Sequence, residues 1–359
     1  MLSSERQWTR WLSPGRAPEG RLRAGQTMLQ TEMVQTERQI DGGREHVDRD
    51  DLDDPATLDA PAPASGDSGP PGRVLGRLRS LVTSAGEREE AALARRLRAA
   101  PPVTRANGIA LVSPKGGVGK TTCTFLLGNV LAAALRLRVL AVDANRDFGT
   151  LASLAPDRTR VDRSLSDLLT DKEQVGCAAA LLPYVSRLPT GLHLLASPAI
   201  VDQMTALAPG DYRVLLQFLA RFYDVILLDF GAGIAGPLAR FGIDWADQTI
   251  LVTAPEYVTA TKVLDSLRHL GVGSQAGDTG LDPDNVTVAL NRVPARRSGD
   301  GEAIGRAVRE RGISGQVTIP DDERLRVMLD SGTYSLDALP RAVRLPIKRL
   351  AAIVAERLV

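Results

Sequence analysis

One ten-residue segment constrains the fold of this chain more than any other. Residues 113–122 read Ser-Pro-Lys-Gly-Gly-Val-Gly-Lys-Thr-Thr. Glycine adopts a positive φ without steric penalty, so such a segment lets successive backbone N–H groups surround a phosphate. The apolar stretch 108–112 precedes it, and apolar residues at helical spacing follow over 121–135. The segment is therefore predicted to be a phosphate-binding loop between a strand and the N-terminus of a helix.

The loop departs from the ordinary P-loop pattern at two positions. That pattern requires glycine where this chain has Pro114, and it has a single lysine, here Lys120. A second lysine, Lys115, lies five residues earlier. The alternative is a glycine-rich turn with chance lysines, but the chain has only five lysines and two of them lie in this loop. We expect the loop to bind a nucleotide through Gly116, Gly117, Val118, Gly119, Lys120, Thr121 and Thr122.

Short apolar runs alternate with helical patterns along the remaining chain. Runs of strand length that are rich in Val, Leu and Ile are typical of parallel strands buried on both faces. The predicted fold is therefore an α/β doubly wound, mostly parallel sheet with helices on both faces. The predicted strands are 139–142, 192–195, 225–228, 249–252, 286–290 and 316–319. The predicted helices include 212–222, 258–270, 304–311 and 345–359.

Polar side chains fall where predicted strands end, at the edge where ligands of such sheets bind. Asp143 and Asp229 each end an apolar run, which is unfavourable for a carboxylate unless a cation or a water network uses it. Together with the Thr121 hydroxyl they are the candidate Mg²⁺ site. Asn291 follows a strand in the same way, although an ordinary loop asparagine is the alternative.

These residues resemble the ParA/MinD group of dimeric P-loop ATPases. The fingerprint of that group, Lys-Gly-Gly-x-Gly-Lys-Thr-Thr, matches residues 115–122, and the likeness covers residues 105–359. Later motifs match in order at 139–143, 224–234, 290–292 and 319–322. Residues 143–151, the basic helical segment before the loop and Asp-Ala-Leu-Pro at 337–340 are similar to actinobacterial members associated with type VII (ESX) secretion.

The resemblance implies ATP and Mg²⁺ as cofactors and an ATP-dependent homodimer. In such a dimer Lys115 reaches the nucleotide of the partner subunit, while Lys120 holds the β- and γ-phosphates of its own. Asn291 and the loop at Pro320 correspond to the adenine pocket. The expected activity is a slow hydrolysis of ATP to ADP and phosphate. The catalytic residues so assigned are Lys115, Lys120, Asp147 and Asp229.

One departure from the group concerns the residue that positions the attacking water. The aspartate that follows the second strand in the ParA/MinD pattern has another aspartate two residues later, and here that position is Asn145. An asparagine cannot act as a base. Asp147 lies two residues beyond, so either Asp147 takes over this role or hydrolysis is slow.

The residues before the loop differ in composition from the remainder. Residues 1–72 are predicted to be a disordered acidic and Pro-rich tail, because Asp41–Ser68 holds nine acidic residues against two arginines and little apolar surface. Residues 73–100 are predicted to be a basic, solvated helical linker that lies on the ATPase domain, residues 101–359. Contact of this linker with a membrane or an acidic partner is the alternative. The tail is the expected attachment site for a protein partner.

Charge and composition narrow the possible surfaces on which the protein acts. The chain has fifteen basic and thirteen acidic residues from position 260 onwards, so a large basic face for binding DNA is not evident, although Arg292, Arg296 and Arg297 cluster. The C-terminal helix is expected to form part of the core rather than a membrane anchor.

Two cysteines and no long apolar run indicate a reduced, cytoplasmic location, with Cys123 in the core. A DNA-partition ATPase and a non-hydrolysing nucleotide-gated interaction module remain the alternative functions.

Overall fold

The computed structural model describes residues 85–145, 149–198, 207–255, 260–272, 281–294 and 298–359. The acidic tail lies outside these residues, and so do residues 73–84 of the basic linker. The division of the chain at residues 72 and 100 stays a prediction.

The strands of the described residues form one eight-stranded sheet. The strands are β1 Asn107–Val112, β2 Val139–Ala144, β3 Ser186–Arg187, β4 Leu192–Leu195, β5 Val225–Phe230, β6 Gln248–Thr253, β7 Val286–Val293 and β8 Gly315–Pro320. Their order is β3-β4-β2-β5-β1-β6-β7-β8, and every neighbouring pair is parallel except β3 with β4. The predicted doubly wound, mostly parallel sheet is confirmed.

The helices cover both faces of this sheet. They are α1 Ala85–Arg98, α2 Lys120–Leu135, α3 Leu165–Asp171, α4 Pro209–Leu219, α5 Pro237–Trp245, α6 Ala260–His269, α7 Ser298–Arg309, α8 Glu323–Asp330 and α9 Arg341–Ala355. Short 3₁₀ helices lie at Ala152–Leu154, Asp157–Thr159, Lys172–Gln174, Ala178–Tyr184 and Pro283–Asn285. One apolar layer joins the sheet to α1, α2 and α9, and a second joins it to α3–α7. Every residue of β1, β2, β5 and β6 is buried, as the continuous apolar runs predicted.

Two helices differ from the prediction, α4 in its start and α3 in its presence, because local signals other than apolar spacing define them. Helix α4 begins three residues before the predicted Tyr212, since Pro209 occupies its first turn and the Asp211 carboxylate accepts a 2.8 Å hydrogen bond from the Ala208 N–H. Helix α3 has only 7 residues, and Ser164 and Asp167 cap it. Such a helix is too short to show a periodic pattern.

Helix α9 forms part of the core, as predicted for the C-terminal segment. Its residues Ile347, Leu350 and Val354 have no exposed surface, and it packs against β8, α1 and α2. It begins at Arg341, four residues before the predicted start. Among the described helices, none is both long and apolar enough to cross a bilayer.

Helix α1 lies against α9. Leu93 and Leu97 are each 3% exposed and join the apolar layer that contains α9. Glu90 accepts a 2.6 Å hydrogen bond from Lys348 and lies 3.0 Å from Arg344, and both contacts lower the pKa of its carboxyl group. Residues 85–98 are therefore integrated into the packing of the domain, beyond what a solvated linker requires.

Candidate functional site

The glycine-rich loop connects the carboxyl end of β1, the central strand, to α2. Gly117 and Gly119 have φ angles of 77° and 83°, which are the left-handed values that glycine permits. Helix α2 begins at Lys120, with Gly119 as its N-terminal cap residue. The predicted strand–loop–helix arrangement is confirmed, and the N-terminus of a 16-residue helix faces the loop.

Lys120 points into the protein and pairs with Asp229 at the end of β5. Its ammonium nitrogen lies 2.9 Å from Asp229 Oδ1, and the two residues are 8% and 1% exposed. The second carboxylate oxygen, Oδ2, is buried and has no hydrogen-bond partner among the described residues. A buried charge pair with an unsatisfied oxygen is costly unless a further donor, such as a cation-bound water, satisfies it. The arrangement thus fits the Mg²⁺ role predicted for Asp229.

Asp143 lies beside Asp229, because β2 and β5 pair with these two residues in register. Its oxygens accept hydrogen bonds from two backbone N–H groups, Asn145 at 3.2 Å and Leu151 at 2.9 Å. Burial raises the pKa of Asp143 to about 7, and the negative charge of Asp229 acts in the same direction. A cation placed between the two carboxylates would oppose both effects.

Thr121 and Thr122 occupy the first turn of α2 and are partly exposed beside the loop. The hydroxyl of Ser113, which precedes the loop, is buried and has no partner among the described residues. Cys123, which follows Thr122 in α2, is buried, and burial raises the pKa of its thiol to about 12. The prediction that Cys123 is a small core residue is confirmed, since a thiol in this environment stays protonated.

The segment that follows β5 lies directly against the glycine-rich loop. The Gly233 N–H donates a 3.0 Å hydrogen bond to the Ser113 carbonyl, and Gly233 has a φ of 95°. A Cβ on Gly231 would lie 2.7 Å from the side-chain oxygen of Asn145, so the end of β2 also reaches this segment. Asp147, the candidate for positioning water, lies outside the described residues.

Two residues at the end of β7 contact the glycine-rich loop from the side of β1 opposite to β5. Asn291 Nδ2 donates a 2.9 Å hydrogen bond to the Val118 carbonyl, and Arg292 Nη1 donates a 3.0 Å hydrogen bond to the Gly117 carbonyl. Pro320 ends the neighbouring strand β8 and pairs with Val293. The structure thus brings Asn291 and Pro320 to the same edge, whereas their role in an adenine pocket stays a prediction.

The contact that Arg292 makes with the loop is not predicted from the sequence. The sequence predicts only a basic cluster of Arg292 with Arg296 and Arg297, and the last two lie outside the described residues. No local pattern marks this contact, because its two ends are 175 positions apart. Lys115, by contrast, lies on the exposed part of the loop, so the two loop lysines occupy different environments.

Comparison with known proteins identifies the family of this site. Residues 109–333 match the family described as CbiA, the CobQ/CobB/MinD/ParA nucleotide-binding domain. The chain belongs to this family. The match includes the glycine-rich loop and the ends of β2, β5 and β7, so these parts of the site lie within a domain of the MinD/ParA-type nucleotide-binding ATPase family.

The relatives of this chain include a secretion-associated protein and a septum site-determining protein. The ESX-1 secretion-associated protein EspI of Mycobacterium tuberculosis strain H37Rv is 31% identical over 166 residues, which are 45% of this chain and 24% of EspI. The septum site-determining protein MinD of Bacillus subtilis is 29% identical over 217 residues, 60% of this chain and 77% of MinD. The match therefore covers only about a quarter of EspI.

A solved structure supports the same fold. The septum site-determining protein MinD of Pyrococcus horikoshii, complexed with Mg-ADP, superposes with a TM-score of 0.51 at 24% identity, covering 68% of this chain and 94% of that one. At this identity the likeness establishes the fold of the CobQ/CobB/MinD/ParA domain. It also shows that a protein with this fold holds a magnesium nucleotide.

Proposed function

We propose that this protein is a Mg-ATP-dependent dimerising ATPase that positions or regulates a larger cellular machine, and that this machine is a type VII secretion system. The Lys120–Asp229 pair beneath the glycine-rich loop is the observation that carries the proposal. It places a buried ammonium group, a partly satisfied carboxylate and the N-terminus of α2 around one point. These are the groups that nucleotide phosphates and Mg²⁺ require.

Each residue at this point has a proposed task. Lys120 binds the β- and γ-phosphates, and its ammonium group exchanges the Asp229 oxygen for a phosphate oxygen. The Thr121 hydroxyl ligates Mg²⁺, while Asp143 and Asp229 accept hydrogen bonds from waters of the ion. Bound Mg²⁺ offsets negative charge on the phosphate oxygens. Backbone N–H groups of residues 116–122 supply the remaining donors, and Asn291 and Pro320 border the base.

The dimer and the partner are further parts of the proposal. Lys115 is exposed on the loop, which supports the role between two subunits that the ParA/MinD resemblance implies. The similarity to EspI supports a secretion partner. Residues 1–72 are the proposed attachment segment for that partner.

A non-hydrolysing nucleotide-gated module is the second candidate function, and Asn145 is the observation that favours it. Asn145 occupies the position of the water-positioning aspartate and its side-chain oxygen lies against Gly231. Measured ATP turnover separates the two candidates. DNA partition has weaker support, because the guanidinium of Arg292 is hydrogen-bonded to the loop. Retention on DNA that decreases with salt would support it instead.

Titration with a fluorescent ATP analogue tests the nucleotide site. Lys120→Ala removes the phosphate-binding ammonium group, so the variant is expected to lose ATP binding while it remains folded by circular dichroism. Lys172→Ala is the matched control, since Lys172 lies on a surface 3₁₀ helix and pairs with Glu173. Equal affinity of the Lys120→Ala and Lys172→Ala variants would contradict the assignment of the loop.

A further inference from the structure

The end of β7 contacts the glycine-rich loop through two consecutive side chains. Asn291 is 5% exposed and its amide nitrogen donates to the Val118 carbonyl at 2.9 Å. Arg292 donates from Nη1 to the Gly117 carbonyl at 3.0 Å. Two adjacent residues of one strand therefore hold two adjacent carbonyl groups of the loop.

The backbone of Arg292 is distorted in a way that aims its side chain at the loop. Its φ is 55°, a left-handed value that is unfavourable for a residue with a Cβ. The register of β7 with β8 shifts between Leu290 and Val293, so the distortion forms a β-bulge. Bulges re-aim side chains and are over-represented beside active sites.

The orientation of these carbonyl groups fixes the orientation of the N–H groups that follow them. In a planar trans peptide, the C=O of one residue and the N–H of the next point in opposite directions. Arg292 thus directs the Val118 N–H away from β7, and Asn291 does the same for the Gly119 N–H. In a phosphate-binding loop, donors of this kind must all point toward the anion.

We propose that Asn291 and Arg292 are positioning residues that hold the Gly117 and Val118 carbonyls, and so preset two backbone N–H donors for a nucleotide phosphate. The proposal rests on the nucleotide binding proposed above and deepens it. Gly119 fits this arrangement, because a Cβ at that position would collide with the Asn291 amide. The Asn291 side chain thereby acts on phosphate binding, separately from any contact with the base.

The hydrogen bonds from Asn291 and Arg292 to the Val118 and Gly117 carbonyls form a clamp on the loop. Arg292→Gly tests this clamp without disturbing the backbone. Glycine accepts a φ of 55° freely, so the fold is retained while the guanidinium is lost. Arg136→Gly is the matched control, since Arg136 has a φ of 54° at the opposite end of α2. Arg292→Gly is expected to weaken ATP and ADP binding by about tenfold, the equivalent of one charge-assisted hydrogen bond, whereas Arg136→Gly binds as the wild type does. Arg292→Lys, which keeps a cationic donor, should recover part of the loss.

A probe without a base separates the clamp from base recognition. Mg-tripolyphosphate competes with the fluorescent analogue, and both Arg292→Gly and Asn291→Ala should weaken this competition. Unchanged tripolyphosphate binding by Arg292→Gly would overturn the proposal. If Asn291→Ala loses only ATP affinity and keeps its tripolyphosphate affinity, Asn291 is a base contact and its assignment to the clamp is wrong.

Hydrogen exchange of the nucleotide-free protein keeps the test independent of the proposed function. Failure of the wild type to bind the fluorescent analogue would refute the nucleotide function, but it leaves this measurement intact. A peptide that spans residues 115–122 should exchange faster in Arg292→Gly than in Arg136→Gly, because the loop carbonyls are released. Equal exchange in the two variants would overturn the clamp.

Discussion

Leu93→Ala measures whether α1 is an integral part of the folded domain. The side chain is 3% exposed within the apolar layer that α1 shares with α9. Removing three buried carbon atoms from a leucine in such a layer costs about 2–5 kcal/mol, and the larger values apply where neighbours cannot collapse into the space. Alanine preserves the helix, since its helix propensity is at least as high as that of leucine.

Chemical denaturation of the full chain gives the magnitude of this loss. A decrease of about 3 kcal/mol in the free energy of unfolding corresponds to a melting temperature roughly 6–12 °C lower for a domain of this size. Arg95→Ala, at an exposed position of the same helix, is the matched control and should change the unfolding free energy by less than about 0.5 kcal/mol.

The surface ion pairs of α1 provide a second comparison. Glu90→Gln removes the negative charge that pairs with Lys348 and Arg344, yet partly exposed ion pairs contribute only about 0–1 kcal/mol each. Leu93→Ala should therefore be more destabilising than Glu90→Gln. If Leu93→Ala unfolds like the Arg95→Ala control, α1 does not pack on α9 in solution and the solvated-linker interpretation holds.

Two further predictions concern the dimer and turnover. Lys115→Ala should bind ATP nearly as tightly as the wild type but sediment as a monomer with a non-hydrolysable analogue, and an ATP-bound dimer of this variant would refute the role across the dimer. Asp147→Ala should slow phosphate release on the order of 10²-fold at unchanged ATP affinity if Asp147 positions the attacking water. Asn145→Asp, which restores the aspartate of the ParA/MinD pattern, should accelerate release, and rates equal to the wild type in both variants would exclude this segment from water positioning.

The sequence by itself determined the features that depend on residues close together in the chain. The loop at 113–119 was predicted from its glycines, which supply the positive φ angles observed at Gly117 and Gly119. Burial on both faces makes strands continuous apolar runs, so β4 has the predicted bounds, Leu192–Leu195. Asp143 and Asp229 were predicted from their place after such runs. Parallel pairing then brings strand ends together at one edge.

Only the tertiary structure decided which of these side chains meet. The Lys120–Asp229 contact spans 109 positions and the Asn291–Val118 contact spans 173, so neither leaves a periodic signal in the sequence. The same holds for α1, whose Glu90 meets Lys348 across 258 positions. A left-handed φ at Arg292 contradicts the local preference of arginine. The hydrogen bond of its side chain to Gly117 and the register shift of β7 against β8 impose this φ. Packing of β7 between β6 and β8 fixes where Arg292 lies, and this position is a property of the assembled sheet.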